Sequence, residues 1–364
     1  MKYWRGYLTA AIIAAFTWAL ASFADTHRNL VDMVYPYVSR LIQTFLAQWS
    51  SGAAFCLWQL GAIVLVVCLL ASIVLMILLR WNPIQWLGWV LAGASLLVCL
   101  HTGIYGLNAY AGPLAEDIRL ETAMYTQTEL ETATAYYRDK ANDLAAQIRR
   151  DGSGAPLYPS FQELALQAGE GFQTLTYEQS YSIFAGSTVP VKELGWADLY
   201  TSMGVSGVTV SLTGEAAVNP NIPTVSLPFA MCREMARRMC IVSQRDADFS
   251  AFLACRANSS VEFRYSAYFM AYRYCLEALE SVSTEAARRV HAQASSQLQQ
   301  DMASYDAFFS DSEQGDAGSV CQLLVSWHIQ QIVLPQQVVT EEKFDPYDET
   351  QVDLSGLVND PSNG

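Results

Sequence analysis

The stretch from Cys232 to Cys240, which reads CREMARRMC, places a glutamate between two arginines at a spacing suited to chemistry. In zinc proteases, two histidines four residues apart on one helix face bind the metal, and the glutamate beside the first is the general base. Here Glu234 stands in the position of the base, and Arg233 and Arg237 stand where the histidines would be. A guanidinium keeps its proton and offers no lone pair, so the stretch predicts neither a zinc cofactor nor a catalytic residue.

Two other interpretations of this stretch are open at the level of sequence. One is an ordinary surface helix in which Glu234 and Arg238 form an i,i+4 ion pair. The other is an active metallopeptidase with a rebuilt metal site, although no pair among its candidate ligands has the spacing of a zinc site. The two histidines among these candidate ligands are more typical of ordinary helix residues. The candidate ligands are Cys232, Cys240, His291, His328, Asp246 and Asp248.

The elements around the stretch are predicted to be mainly helical, with one small sheet. Residues 208–212 alternate between apolar and hydroxyl side chains, which is the period of a half-buried strand. A strand beside such a helix can hold an extended peptide by edge pairing. Helical periodicity and capping signals predict the other elements. The helices are expected at 113–150, 160–182, 228–243, 246–257, 260–281, 284–310 and 318–333.

Three uncharged apolar blocks near the amino terminus are each long enough to cross a bilayer. They cover about residues 6–24, 53–79 and 84–105. A cleaved signal peptide is the alternative for the first block, but two further spans make an anchor the more natural interpretation. The amphipathic segment 25–52 is expected either to lie along the membrane surface or to pack on the spans as a short helix.

Charge is distributed unevenly between the two ends of the chain. Residues 1–112 carry five basic and two acidic side chains, a net charge of +3, whereas 113–364 carry sixteen basic and thirty-three acidic ones, a net charge of −17. The acidic part repels nucleic acid, so no nucleic-acid partner is expected. Lys2, Arg5 and Arg80 flank the spans on one side, which predicts a cytoplasmic amino terminus and an extracytoplasmic acidic domain.

Together these patterns predict a mainly α protein in three parts. Residues 1–112 form a membrane domain with three transmembrane helices in the lipid bilayer. Residues 113–335 form an extracytoplasmic, mostly helical domain with one small β-sheet. The tail at 336–364 is acidic and poor in apolar residues, and is expected to be flexible.

Several short stretches resemble, in the same order, a family of bacterial three-pass membrane proteins described as domain of unknown function 3810. The resemblance covers most of residues 1–310 and is most specific from Gly214 to Cys255. It implies that the outer domain is zincin-like. The stretches are VDMVYPYVSRLI, YGLNAYAGPL, GEAAVNPNIPTVSLPF, REMARRM, DADFSAFLAC and RYSAYFMAYRY.

The family pattern in the most specific block is close to H-E-x-A-H-Q-x-G, followed by E-A-N-F. Carried over by position, the two histidines become Arg233 and Arg237, and the glutamate is kept as Glu234. The acidic residue of the second motif, a candidate third ligand, becomes Asp246. The other matched positions are Ala236 and Phe249, which are kept, and Arg238, Cys240 and Asp248, which replace the family's glutamine, glycine and asparagine.

The resemblance therefore implies a zincin scaffold with a degenerate metal site. We expect Arg233 and Arg237 to face the cleft that two histidines would face, and to replace the charge of the metal by pairing with Glu234 and Asp246. The expected function is that of a non-catalytic membrane protein that binds a peptide or another membrane protein through this cleft. A purely structural membrane subunit is the remaining alternative.

Overall fold

The computed structural model describes residues 4–309 and 317–335, and this part of the chain is mainly helical, as predicted. It contains fourteen α-helices and one three-stranded sheet. Helices α1 (Arg5–Thr26), α3 (Leu57–Leu78) and α4 (Pro83–Ile104) are long and apolar enough to cross a membrane, which confirms the three predicted spans. Helix α2 (Arg28–Ser50) lies between the first two. The tail at 336–364, predicted to be flexible, lies outside the described residues.

The first and third spans pack closely against each other. A Cβ atom on Gly6 would lie 2.5 Å from the backbone carbonyl carbon of Gly88, so this approach requires a residue without a side chain. Helix α4 begins sharply, because Asn82 Oδ1 accepts the Ile84 amide at 2.9 Å and Pro83 occupies the first turn. Helices α1 and α4 therefore form one tight pair.

Helix α3 stands apart from that pair along most of its length. Its apolar window has no buried residue within the described chain, which suits a helix whose sides face lipid. Near the turn that joins α3 to α4, Trp86 Nε1 donates to Ser72 Oγ at 3.1 Å. Hydrogen bonds from the first turn of α3 join it to the outer domain.

We use the name outer domain for residues 113–335, after the location that the charge pattern predicts. Its described part is a helical globule in which one long helix, α11, packs against α6, α9, α10, α12 and α14. Buried aromatic side chains such as Tyr137, Phe252 and Phe269 fill its core. The ten helices are α5 (Leu114–Asp117), α6 (Gln127–Ala145), α7 (Phe161–Tyr177), α8 (Ala197–Ser202), α9 (Leu227–Arg238), α10 (Gln244–Ala257), α11 (Val261–Val282), α12 (Thr284–His291), α13 (Ser296–Phe309) and α14 (Ala317–His328).

Two helices that were predicted to be continuous are each divided. The predicted helix 113–150 is interrupted because Arg119 adopts the left-handed conformation, with φ of 55°, and a capping box at Thr126 then starts α6. The predicted helix 284–310 is interrupted after α12, where Ser295 Oγ accepts the Leu298 amide at 3.2 Å and caps α13. In both cases local capping overrides the continuous helical periodicity.

The small sheet has the strand order β1–β3–β2. Strand β1 (Lys192–Glu193) runs parallel to β3 (Glu215–Val218), and β2 (Gly207–Val210) runs antiparallel to β3. The predicted strand is β2, which ends two residues earlier than expected. Strands β1 and β3 lack the alternating pattern, because β1 has two residues and β3 is buried at all four positions. Strand β2 lies at the sheet edge and packs against α9.

Candidate functional site

Helix α9, which carries the arginine and glutamate motif, ends earlier than the predicted residue 243. Cys240 adopts a φ of 72°, and its amide donates to the Arg237 carbonyl at 2.9 Å. The Ile241 amide donates to the Ala236 carbonyl at 3.2 Å. These two bonds form a Schellman motif, in which the residue after the helix end is left-handed. Cys240, which stands at the position of the family's glycine, thus makes a left-handed turn that ends the helix.

Glu234 points into the interface between α9 and the edge strand β2, and its side chain is fully buried. Its Oε1 accepts Arg233 Nε at 3.1 Å, and its Oε2 accepts Thr209 Oγ1 at 2.9 Å. The strand approaches closely, because a Cβ atom on Gly207 would lie 2.7 Å from Glu234 Cγ. The sequence predicted the strand, but it did not predict that the Thr209 hydroxyl would hold the motif glutamate.

Arg233 places its guanidinium between two carboxylates. Besides its bond to Glu234, its Nη2 donates to Ser206 Oγ at 2.6 Å, and its Nη1 lies 3.8 Å from Asp248 Oδ1. The side chain is only 13% exposed. Burial alone would lower the pKa of Arg233, but the carboxylates of Glu234 and Asp248 raise that pKa above its ordinary value. The guanidinium therefore stays charged.

Asp248, on α10, forms a buried charge cluster with Arg233 and Glu234. Its side chain is buried, and Gln244 Nε2 donates to its Oδ2 at 3.2 Å. Its Oδ1 accepts no hydrogen bond from residues 4–309 or 317–335. Burial raises the pKa of Asp248, while the charges of Arg233 and Arg237 oppose that rise. The cluster therefore contains a carboxylate whose hydrogen-bonding capacity is only partly used.

Arg237 lies at the rim of the cluster and is partly exposed. Its Nη2 donates to Gln244 Oε1, and the amide nitrogen of the same Gln244 bonds Asp248. Tyr105, the residue directly after α4, donates its hydroxyl to the Arg237 carbonyl at 2.9 Å. Arg233 thus interacts with Asp248 directly, and Arg237 interacts with it through Gln244. The end of α9 is also bound to the end of the third span.

We expected Asp246 to pair with the two motif arginines, but it does not. Its Oδ1 accepts Arg245 Nε at 2.9 Å, and its Oδ2 accepts the Leu114 amide at 3.4 Å. Ser243 caps α10 through the Asp246 amide, which fixes Asp246 in the first turn and on a different side of the helix from Asp248. Asp246 instead lines a cavity of about 390 Å³ between α2, the 108–117 segment and the turn from α9 to α10.

Arg238 is buried, so the surface pair with Glu234 is wrong. Its side chain donates to the Ser187 carbonyl at 3.1 Å and to the Val189 carbonyl, and no carboxylate among the described residues forms an ion pair with it. Burial lowers the pKa of Arg238 to about 10. A surface helix is excluded because α7, α10, α11 and the sheet enclose α9.

Among the alternative metal ligands, Cys240 and Asp246 line the same cavity, whereas the others point elsewhere in the outer domain. Cys232 Sγ faces the Ala168 carbonyl at 3.7 Å, His291 Nδ1 lies 3.0 Å from the Tyr272 hydroxyl, and His328 is buried among aromatic side chains. Across residues 4–309 and 317–335, no three His, Cys, Asp or Glu side chains are grouped to hold a metal. Zinc does not fit at the motif itself, because a protonated guanidinium occupies each histidine position.

A second buried glutamate, Glu215 on β3, joins the sheet to the second span. Its two carboxylate oxygens accept the amides of Leu57 and Trp58 in the first turn of α3, each at 2.8 Å. Lys192 Nζ donates to the same carboxylate at 2.7 Å. A carboxylate satisfies unpaired amides at a helix start and opposes the helix dipole. Sequence reasoning missed this pair, because Lys192 and Glu215 meet only through the parallel pairing of β1 with β3.

Comparison with known proteins identifies one matching family. A family model described as "Protein of unknown function (DUF3810)" matches residues 31–324, which includes most of α2, both later spans and the whole charge cluster. No curated protein and no solved structure matches the chain. Because the match covers well over half of the sequence, the chain belongs to the DUF3810 family of proteins of unknown function.

Proposed function

We propose that this multi-pass membrane protein is a pseudoenzyme, in which a guanidinium has replaced a catalytic metal and the remaining cleft binds an extended segment of a partner. The observation that carries the proposal is the position of Arg233 between the buried carboxylates of Glu234 and Asp248. The carboxylate that would act as the base is already engaged by a cation and by a hydroxyl.

The charge balance of the cluster supports this role. Two buried carboxylates without a cation would repel each other and lose solvation. Arg233 supplies positive charge inside the cluster, and Arg237 adds a second charge at its rim. An arginine can satisfy carboxylates in this way, but it cannot bind and activate a water molecule as zinc does. The cluster therefore stabilises the scaffold but does not activate a water molecule.

The outer edge of β2, which pairs with no strand among the described residues, offers a way to bind a peptide. The Asn219 amide donates to the Ser206 carbonyl, so the alternation of an antiparallel ladder puts the pairs with β3 at Val208 and Val210. The backbone groups of Gly207 and Thr209 then point to the outer edge. An extended segment can pair with such groups as an added strand.

The hairpin of β2 and β3 ends on the membrane helices, which favours a partner that is itself a membrane protein. His101 Nδ1, in the last turn of α4, lies 2.7 Å from Ser211 Oγ. Gln43 Nε2, in α2, donates to the Ser211 carbonyl at 3.0 Å. A segment emerging from the bilayer beside α4 would reach the β2 edge within a few residues.

We infer that the outer domain lies outside the cell, because Lys2, Arg5 and Arg80 flank the opposite ends of the spans. A peptide tag placed after Gly364 should therefore react with a membrane-impermeant reagent on intact cells. Labelling only after lysis would reverse this orientation.

The pseudoenzyme proposal is tested with the full chain purified in detergent. We expect zinc content far below one ion per chain, and no cleavage of a quenched fluorescent peptide library beyond that of the Glu234→Gln variant. Wild type and variant should be indistinguishable, because the glutamate does not act as a base. Stoichiometric zinc with chelator-sensitive cleavage that disappears in Glu234→Gln would instead establish the rebuilt peptidase.

Binding along β2 is tested with a library of fluorescent decapeptides from the juxtamembrane segments of membrane proteins. Peptides that bind are remade with N-methyl groups on every second amide, in each of the two registers. Only the register whose methylated amides face β2 should lose binding, because alternate amides of an added strand point away from the sheet. Equal loss in both registers, or none in either, would contradict edge pairing.

A purely structural membrane subunit is the second candidate, and the bonds from Glu215 to the first turn of α3 favour it. This connection holds the outer domain on a span independently of the α9 cleft. If no library peptide binds the folded full chain, the structural role becomes the better account.

A further inference from the structure

Helix α2 presents its apolar side chains to the outside of the molecule. Leu30, Met33, Tyr37, Leu41, Phe45 and Trp49 recur every three or four residues, and each is between 47% and 72% exposed. Residues at this spacing lie along one side of a helix. At 1.5 Å per residue the stripe is about 28 Å long. We call these six residues the α2 stripe.

Three polar side chains in the middle of α2 point inward, which is the reverse of an ordinary surface helix. Ser39 Oγ donates to the Ile104 carbonyl at 2.7 Å, Arg40 Nη1 donates to the Ser182 carbonyl at 2.8 Å, and Gln43 Nε2 bonds the hairpin tip. All three side chains are buried. The orientation of α2 is therefore fixed by specific bonds, and the stripe cannot turn inward without breaking them.

The position of α2 relative to the spans identifies what covers the stripe. Helix α2 begins two residues after α1 ends, and Tyr35 donates its hydroxyl to the Gly103 carbonyl at 3.0 Å in the last turn of α4. The helix is thus attached where two spans leave the hydrocarbon layer. Tyr37 and Trp49 are side chains typical of the membrane interface. Of the two charged residues between Leu30 and Trp49, Arg40 is buried and Asp32 accepts the Gly112 amide at 2.7 Å.

We propose that α2 is an interfacial helix whose stripe is immersed in the lipid leaflet on the side of the outer domain, at the boundary between headgroups and acyl chains. The immersion is driven by apolar area, since the stripe carries no charge. Helix α2 therefore holds the outer domain against the membrane surface at a place separate from the first turn of α3. This proposal stands whether or not the α9 cleft binds a peptide.

The test uses the full chain in nanodiscs of phosphatidylcholine brominated high on the acyl chain, which quenches nearby fluorophores. A fluorescent amino acid replaces Phe45 in one sample, Leu65 in the middle of α3 as a lipid-facing control, or Glu285 as a water-exposed control. We expect quenching at Phe45 within about twofold of that at Leu65, and none at Glu285. Quenching at Phe45 as low as at Glu285 would overturn the proposal.

Two further measurements distinguish lipid from a second copy of the chain as the group that covers the α2 stripe. Adding Leu41→Glu should reduce quenching at Phe45 at least twofold, because a charge in the stripe opposes immersion. Replacing part of the neutral lipid with anionic lipid should leave the signal unchanged. If single-chain nanodiscs show no quenching and only two-chain nanodiscs shield Phe45 from a soluble quencher, a second copy covers the stripe and the lipid proposal is wrong.

Discussion

Two glutamates of the outer domain are fully buried beside a basic residue, yet they are satisfied in different ways. Glu215 binds Lys192 and two amides at the start of α3, all at 2.7 to 2.8 Å. Glu234 binds Arg233 at 3.1 Å and the Thr209 hydroxyl at 2.9 Å. Arg233 Nη1 in turn lies 3.8 Å from Asp248 Oδ1. The first arrangement joins two parts of the protein, whereas the second lies between α9, α10 and the edge strand β2.

The difference lies in hydrogen-bonding capacity that is left over. Both carboxylate oxygens of Glu215 are engaged by short bonds. In the α9 cluster, Asp248 Oδ1 and Arg237 Nε have no hydrogen-bond partner within the described chain. Buried polar atoms without partners are costly. The contrast separates a carboxylate whose two oxygens are both bonded, that of Glu215, from a cluster that keeps unused hydrogen-bonding capacity, as the recognition role proposed above requires.

The largest effect is expected at Glu215. In Glu215→Gln, Lys192 would keep a buried charge without its partner, and one amide oxygen would have to serve two helix amides. We expect a loss of about 3–5 kcal/mol in the free energy of unfolding. Thermal melting of the full chain in detergent measures it. Glu193→Gln, an exposed neighbour, is the matched control, and equal shifts for the two variants would remove the structural side of the comparison.

A graded effect is expected along the three arginines of α9. Arg233→Met leaves two buried carboxylates without their cation and should cost about 3 kcal/mol. Arg238→Met leaves the Ser187 and Val189 carbonyls without a donor and should cost about 1–3 kcal/mol. Arg237→Met, at the partly exposed rim, should cost roughly 0–1 kcal/mol.

The arginine series is measured by the same thermal melting, with the exposed Arg149→Met as the surface control. If Arg237→Met is as damaging as Arg233→Met, the two cations contribute equally to stabilising the buried carboxylates. The asymmetry described for the cluster would then be wrong.

The smallest effect is a change in pH dependence at Asp248. Burial raises the pKa of this group above the unfolded value of about 3.9, so the folded chain binds the proton more tightly. Its contribution to stability is therefore fully present below the unfolded pKa, and is lost as pH rises through the folded pKa. The Asp248→Asn variant lacks this titration.

Melting temperature followed from about pH 4 to neutral should accordingly rise for Asp248→Asn relative to wild type. The exposed Asp143→Asn variant should stay parallel to wild type over the same range. Parallel curves for Asp248→Asn as well would mean that Arg233 and Arg237 offset the cost of burying this carboxylate.

The sequence predicted the three spans and the mainly helical outer domain, because both depend on local hydropathy and periodicity. It could not predict which acidic residue of α10 faces Arg233, since Asp246 and Asp248 are about 200° apart around the helix and the packing of α10 on α9 decides between them. Arg238 was misplaced for a similar reason: on a helix enclosed on all sides, a charged residue does not mark a solvent face.

The pairing of Lys192 with Glu215 was beyond sequence reasoning altogether. The two residues belong to strands of two and four residues that show no alternation, and a parallel pairing brings them together. The left-handed turn at Cys240 shows another limit. A cysteine in place of the family's glycine argued against such a turn, yet Cys240 makes it with a φ of 72°.

The close contact of Gly6 with Gly88 has a consequence for how the protein is made. The two glycines are about eighty residues apart, so the amino-terminal helix enters the membrane well before its packing partner has been synthesised. At translation rates of about 5–20 residues per second, the first helix waits in the bilayer for on the order of ten seconds. During that interval the surface of α1 around Gly6 is open to other membrane helices or to insertion factors, and it is covered only when the hairpin of the second and third spans arrives.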